Sequence, residues 1–327
     1  AAMINIFSNR LQLPLYLTAP PLFVFLEFIR AKVFTGFPWE LLGYSQYKFL
    51  PLIQIADITG VYGVSFILVL INSVTAEILK KRFRFTRRLK AVFVITCAFV
   101  GLTLTYGVAK LGHGNKEGSL FRASIIQGNI SIKEKRSKDL KTAQSIIDKY
   151  GVMTTRALAY HPDVILWPET AMPFVYGLNK KSSESLLDFQ KRMGAPILLG
   201  TVSSSNNLSL NSNQNYSNSA LFLQDGNLTG IHNKVKLVPF GEYVPAGLKL
   251  GKIVDNFDFV SGDRNKVFDL NGVKFSVLIC YEIIFPEISR NFVANVARVL
   301  FTISNDAWFG NTSAPYQHFS MAVFRAI

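Results

Sequence analysis

Apolar positions are distributed unevenly along this chain. Up to about residue 112 they form long, nearly unbroken stretches; from about 121 they break into short runs separated by polar segments. Three stretches, 11–34, 58–79 and 89–111, read as membrane helices. The third is the cleanest, with no charge from Ala91 to Ala109, and the second has an uncharged core from Val61 to Ile71. Both reach the roughly 20 apolar residues that a bilayer span requires. The first is interrupted by Pro14, Pro20, Pro21, Glu27 and Arg30, so a broken or interfacial helix is an alternative there.

The second half has the texture of a layered domain of strands and helices. Strands are expected over 121–127, 164–167, 196–202, 220–224, 274–280 and 299–304, with helices over 132–160 and 285–297. The Ser/Asn-rich stretch 203–219 has no apolar period and reads as a loop. The expected division is a membrane domain over 1–112 and a globular domain over 113–327. The chain starts without Met and stops within a helical pattern, so further residues at one or both ends are expected.

Charge sharpens this picture. The net charge of +14 would ordinarily suggest a polyanionic partner, but the run Lys80-Lys81-Arg82-Phe83-Arg84-Phe85-Thr86-Arg87-Arg88-Leu89-Lys90 carries seven of the basic groups. It lies between two apolar stretches, where a cytoplasmic juxtamembrane loop explains it better than a nucleic-acid surface. Segment 35–57, with Trp39, Tyr44 and Tyr47 as interfacial aromatics, and everything after 111 then lie on the far side. Only two cysteines are present, Cys97 and Cys280, which make neither a disulfide framework nor a metal site.

Three residues invite a chemical reading. Cys280 ends Phe275-Ser276-Val277-Leu278-Ile279, just before an expected helix whose N-terminus would favour a thiolate. Glu169 ends Val164-Ile165-Leu166-Trp167-Pro168 in the same manner, and Lys234 follows Gly230-Ile231-His232-Asn233. Taken singly, each has a plain alternative: a small buried thiol, a helix cap, a solvated surface lysine. Together they form a full set for acyl transfer, comprising a nucleophile, a base and a cation for the developing oxyanion.

These surroundings resemble the nitrilase, or carbon–nitrogen hydrolase, superfamily, whose triad is Glu, Lys and Cys. The resemblance lies in Trp167-Pro168-Glu169, in Lys234 with Leu237-Val238-Pro239-Phe240-Gly241-Glu242, in Cys280-Tyr281-Glu282 with Phe285-Pro286-Glu287, and in Ser304-Asn305-Asp306-Ala307-Trp308-Phe309-Gly310. Phe240-Gly241-Glu242-Tyr243-Val244-Pro245, together with Gly36-Phe37-Pro38-Trp39 between apolar stretches, is most similar to the membrane-bound apolipoprotein N-acyltransferase branch. That family has more membrane helices before the first stretch, and a further C-terminal segment.

The resemblance implies α-helical membrane segments followed by a nitrilase-like α-β-β-α sandwich. It implies Cys280 as nucleophile, Glu169 as general base and acid, and Lys234 as oxyanion stabiliser, with Glu242, Glu282 and Tyr281 in support. The expected reaction is ping-pong, from a phospholipid donor through a Cys280 thioester to the α-amine of a diacylglyceryl-cysteine lipoprotein. It needs no metal or organic cofactor and no nucleic acid. The expected location is the bacterial inner membrane, with the catalytic domain on the periplasmic side. Apolar segments 172–176 and 244–260 are candidate covers over the site. A membrane-tethered amidase or nitrile hydrolase using water as acceptor, and a non-catalytic transporter or scaffold whose globular domain only binds, are the competing classes.

Overall fold

The computed structural model describes residues 12–113, 120–137, 139–178, 180–204, 216–245, 259–263 and 266–327. The chain divides into two compact units, one formed by residues up to 118 with 313–327, the other by 119–312.

In the first unit the three apolar stretches are helices α1 (Leu15–Lys32), α2 (Val61–Lys80) and α3 (Arg87–Gly112). By length and composition, α2 and α3 are long and apolar enough to cross a membrane. The expected first span forms as a helix but falls outside that class, because its 18 residues include Glu27, Arg30 and Lys32. Tyr16 of α1 packs with Val74 and Ile78 of α2 and Leu89 of α3. The Leu15 amide donates to Glu77 Oε1 at 3.3 Å, so a carboxylate from α2 satisfies the first turn of α1, where exposed amides favour negative charge. The basic run is not one loop: Lys80 closes α2 and Arg87 opens α3, with the Thr86 hydroxyl accepting from the Leu89 amide. Gly107 of α3 lies against the Pro51 carbonyl so closely that any Cβ would collide with it.

In the second unit, β1 (Ala123–Ile125), β2 (Val164–Leu166), β3 (Val175–Tyr176), β4 (Ile197–Ser204), β5 (Tyr216–Gln224) and β6 (Asn227–Asn233) form one sheet. Its order is β1-β2-β4-β5-β6, with β3 also paired to β4; β1, β2 and β4 run parallel, while β5 and β6 are antiparallel neighbours. A second sheet contains β7 (Val267–Leu270), β8 (Val273–Ile279) and β9 (Val299–Ile303), with β8 and β9 parallel. Side chains alternate across each strand. Ile165, Trp167, Leu199 and Leu221 face helices α4 (Leu140–Leu158) and α5 (Lys180–Met193), packing against Ile146, Tyr150 and Leu186. Val164, Leu166, Leu198 and Phe222 face the other sheet, packing on Phe268, Phe275, Val277 and Ile303. Burial on both faces explains why Val164-Ile165-Leu166, Ile197-Leu198-Leu199 and Val277-Leu278-Ile279 read as continuous apolar runs.

Several expectations change. The helix expected over 132–160 is broken into a turn, Ile132–Arg136, and α4, because Asp139 caps a new start by accepting from the Thr142 amide. The loop expected over 203–219 begins and ends as strand, since Ser203 and Ser204 belong to β4 and Tyr216–Ser219 to β5; its middle, 205–215, lies outside the described residues. No helix starts directly at Cys280. A 3-10 turn, Cys280–Ile284, intervenes before α6 (Pro286–Ala294). Tyr44, one of the aromatics expected at an interface, is fully buried in protein: its ring meets Phe324 edge-on at 4.9 Å, and its hydroxyl accepts from Arg325 Nη2 at 2.6 Å. These partners flank the last helix, α7 (Ala314–Val323), whose Gln317 accepts from Trp39 Nε1 at 2.9 Å.

Candidate active site

Glu169, Lys234 and Cys280 follow the ends of β2, β6 and β8, and the fold brings all three together. Strand ends of this kind form crevices in open α/β sheets. The Glu169 loop lies directly over β4: a Cβ on Gly200 would stand 2.5 Å from Glu169 Cα and 2.6 Å from the Pro168 carbonyl, so only glycine admits it. Beneath it, Trp167 is buried, stacks on Tyr150 at 4.9 Å and donates from Nε1 to the Thr154 hydroxyl at 3.0 Å.

Lys234 is only 1% exposed, and Glu169 5%. The Lys234 ammonium donates to Glu242 Oε1 at 2.9 Å and to Glu169 Oε1 at 3.3 Å. Asn218 Nδ2 bridges the same two oxygens at 2.8 Å each. Glu242 Oε2 accepts from the Val238 amide at 2.8 Å, and Glu169 Oε2 from the Asn305 amide at 3.2 Å. Burial opposes charge on Lys234, but Glu242 and Glu169 overcome it and hold the ammonium well above the ordinary lysine range. Burial likewise pushes Glu169 up. The Lys234 charge, the Asn218 amide and a hydrogen bond from the Cys280 thiol outweigh it, leaving the carboxyl below its ordinary value.

Cys280 sits at φ +50°, in the left-handed region that non-glycine residues enter only under constraint. Thr170, next to Glu169, and Phe240, two residues before Glu242, are also left-handed, at +48° and +63°. Burial, then the Glu169 charge, pushes the Cys280 thiol far up, against Lys234 and a Ser304 hydrogen bond. Both shifts run in the direction that favours a thiol beside a carboxylate.

Glu282 is completely buried and accepts from the amides of Ile279 at 2.8 Å, Val235 at 2.6 Å and Lys236 at 3.4 Å; His232 Nε2 lies 3.4 Å away. It fastens the Lys234 loop to the Cys280 turn without touching Lys234. Tyr281 packs edge-on against Phe285 at 5.1 Å, and burial raises its hydroxyl to about 12. Two residues at the site were not singled out from the sequence. Asn218 hides in a strand that reads as polar loop. Lys135 follows the Ser131–Glu134 capping box, and its ammonium donates to the Glu169 main-chain oxygen at 3.0 Å and to the Thr170 hydroxyl at 2.9 Å. Of the segments expected to cover the site, 246–258 lies outside the described residues. No cluster of metal-ligating side chains occurs among the described residues.

A buried Glu–Lys–Glu cluster facing a strand-end thiol on a two-sheet scaffold is the setting in which comparison with known families becomes informative. Residues 122–327 match the carbon-nitrogen hydrolase family, and this chain belongs to it. Residues 1–74 match the apolipoprotein N-acyltransferase N-terminal domain. The chain is 38% identical over 324 residues to the apolipoprotein N-acyltransferase of Geobacter metallireducens, covering 96% of this chain and 60% of that protein. It is 34% identical to the Haemophilus ducreyi protein of the same name, covering 94% of this chain and again 60% of the relative. It thus spans less than two thirds of the length of these relatives. Among solved structures, an amidase from Nesterenkonia sp. overlaps 61% of this chain and 70% of its own, at 19% identity and a TM-score of 0.43.

Proposed function

We propose that this chain carries the catalytic part of a membrane-bound N-acyltransferase. It moves an acyl chain from a phospholipid to the α-amine of a diacylglyceryl-cysteine at a lipoprotein N-terminus. The observation that carries this reading is the buried cluster of Lys234 between Glu169 and Glu242, with the Cys280 thiol donating to Glu169. Similarity to two N-acyltransferases over nearly the whole chain supports the choice of reaction.

Cys280 Sγ attacks the ester carbonyl of the phospholipid while Glu169 takes its proton. An ammonium has three N–H donors; Glu242 and Glu169 occupy two of those on Lys234, leaving one for the tetrahedral oxyanion. Such a donor contributes about 3–4 kcal/mol. Collapse expels the lysophospholipid alkoxide, which receives the proton from Glu169, and leaves a thioester on Cys280. The lipoprotein amine then attacks the thioester. Glu169 accepts the amine proton and returns it to the departing Cys280 thiolate, which restores the enzyme. Glu242 and Asn218 hold Lys234 and Glu169 in place, and Glu282 holds the two loops. The catalytic unit is read as the four-layer α-β-β-α sandwich of its family.

α2 and α3 are read as spans, with the basic segment between them in the cytoplasm and the catalytic unit on the opposite side. Single cysteines at Arg84 and Asn227, both exposed, test this in a Cys97→Ala, Cys280→Ala background. An impermeant maleimide added to cells with a permeabilised outer membrane should label position 227 and spare 84; the reverse pattern overturns the orientation. The reaction itself is tested by product analysis with phospholipid vesicles and a diacylglyceryl-cysteine peptide. N-acylated peptide and lysophospholipid in equal amounts are expected. Free fatty acid without acylated peptide would make water the acceptor and the protein a hydrolase.

A further inference from the structure

The buried cluster is not electrically complete with Lys234 as its one cation. Glu169 and Glu242 present two carboxylates to the single ammonium of Lys234, with Lys234 Nζ 3.3 and 2.9 Å from their oxygens. Isolated charge is costly in such a setting. The second cation is Lys135, half-buried and brought in by a different element: Ser131 and Glu134 cap each other's amides, at 3.2 and 2.9 Å, and build the turn that carries it. Its ammonium grips both sides of one peptide junction, the Glu169 carbonyl at 3.0 Å and the Thr170 hydroxyl at 2.9 Å. That junction leads into the left-handed Thr170, a conformation that persists only where surrounding contacts enforce it.

We propose that Lys135 is a positioning residue for the base: by clamping the Glu169–Thr170 junction and supplying the second positive charge, it aims the Glu169 carboxylate at the Cys280 thiol. Glu169, at the end of β2, and Cys280, at the end of β8, are the titratable groups that face it. Glu134, on its own turn, is engaged by Ser131. Burial lowers Lys135 to about 8, against the pull of Glu169 and Cys280. Lys234, by contrast, stays charged far above that range. One lysine of the site therefore titrates near neutrality and the other does not.

The proposal takes from the acyl-transfer reading only that Glu169 is the base. Its test needs no lipid: the rate at which iodoacetamide alkylates Cys280 in the membrane-embedded protein, followed by mass spectrometry of the Cys280 peptide. It can therefore fail or succeed independently of lipoprotein acylation. Because Cys280 stays protonated well above this range, the wild-type rate should fall as pH rises through about 8. Lys135→Arg keeps its charge, so it should alkylate at close to the wild-type rate below that pH and lose the fall. Lys135→Met should be slower by about tenfold or more, as small misplacements of reacting groups can cost up to about a hundredfold. It should also show no fall with pH. The double variant Lys135→Met, Glu169→Gln should be no slower than Glu169→Gln alone, because Lys135 acts through Glu169. Additive losses in the double variant, a wild-type rate in Lys135→Met, or a fall near pH 8 that survives in Lys135→Arg would each overturn the proposal.

Discussion

Glu242 and Glu282 are both buried carboxylates at the same site, yet their charges are met in different ways. Glu242 faces the Lys234 ammonium and the Asn218 amide, with one backbone amide, Val238, behind it. Glu282 touches no lysine ammonium; main-chain amides from the Lys234 loop and from the end of β8 converge on it, with His232 Nε2 at 3.4 Å. The first arrangement fixes the charge state of a side chain, which is a chemical role. The second fixes the backbone that carries Lys234 and Cys280, which is a mechanical one. Two acidic residues that look alike in sequence thus divide the labour of one site.

The sharpest separation comes from removing the groups that each network serves. Cys280→Ala should abolish all covalent labelling at the site while leaving the thermal unfolding midpoint near that of the wild type. Lys234→Met should lower acyl transfer by about 100- to 1,000-fold. It should also destabilise the protein by about 3–5 kcal/mol, because Glu169 and Glu242 lose the ammonium that sits between them. Denaturant unfolding measures the second effect. Glu282→Gln turns an amide NH2 toward main-chain N–H donors, so a stability loss of about 1–3 kcal/mol is expected. Hydrogen exchange should quicken at Val235 and Lys236, whereas Glu242→Gln should leave those two amides protected. Equal deprotection in both variants would erase the distinction.

The smallest effect is on acid stability. Burial raises Glu169, but Lys234, Asn218 and Cys280 together hold its carboxyl below the ordinary 4.5. A carboxyl depressed on folding contributes stability that is complete above its unfolded value and lost as pH falls through its folded value. The unfolding midpoint should therefore be insensitive to Glu169 above about pH 4.5 and decline below it. Glu169→Gln should flatten that decline, as read from unfolding curves taken along a pH series.

The strands that carry the site were legible because burial on both faces makes them continuous apolar runs, as in Val164-Ile165-Leu166 and Val277-Leu278-Ile279. Their ends therefore pointed to Glu169 and Cys280. Asn218 was not legible, because Ser217-Asn218-Ser219 is a buried strand segment stabilised by polar partners. The Ser219 hydroxyl alone meets Ser203 and Asn233, each at 2.7 Å, and hydrophobic periodicity cannot register such a strand. Lys135 escaped for another reason. The Ser131-x-x-Glu134 cap marks a helical start, but the separation of this turn from α4 depends on Asp139 capping a second start. The charged end of α1 shows the same limit, since Glu27 finds its partner in the Leu42 amide at 2.6 Å, outside its own helix.

The proposed reaction turns on one species, an acyl thioester on Cys280 formed with Glu169 as base. Its most direct test is the mass of the Cys280 peptide after brief exposure to vesicles of a phospholipid of defined acyl composition, without any amine acceptor. A peptide heavier by one acyl chain is expected in the wild-type protein, discharged by hydroxylamine and absent from Cys280→Ala and Glu169→Gln. An unmodified Cys280 in a protein that still acylates lipopeptides, or an adduct that persists in Glu169→Gln at the wild-type rate, would contradict it.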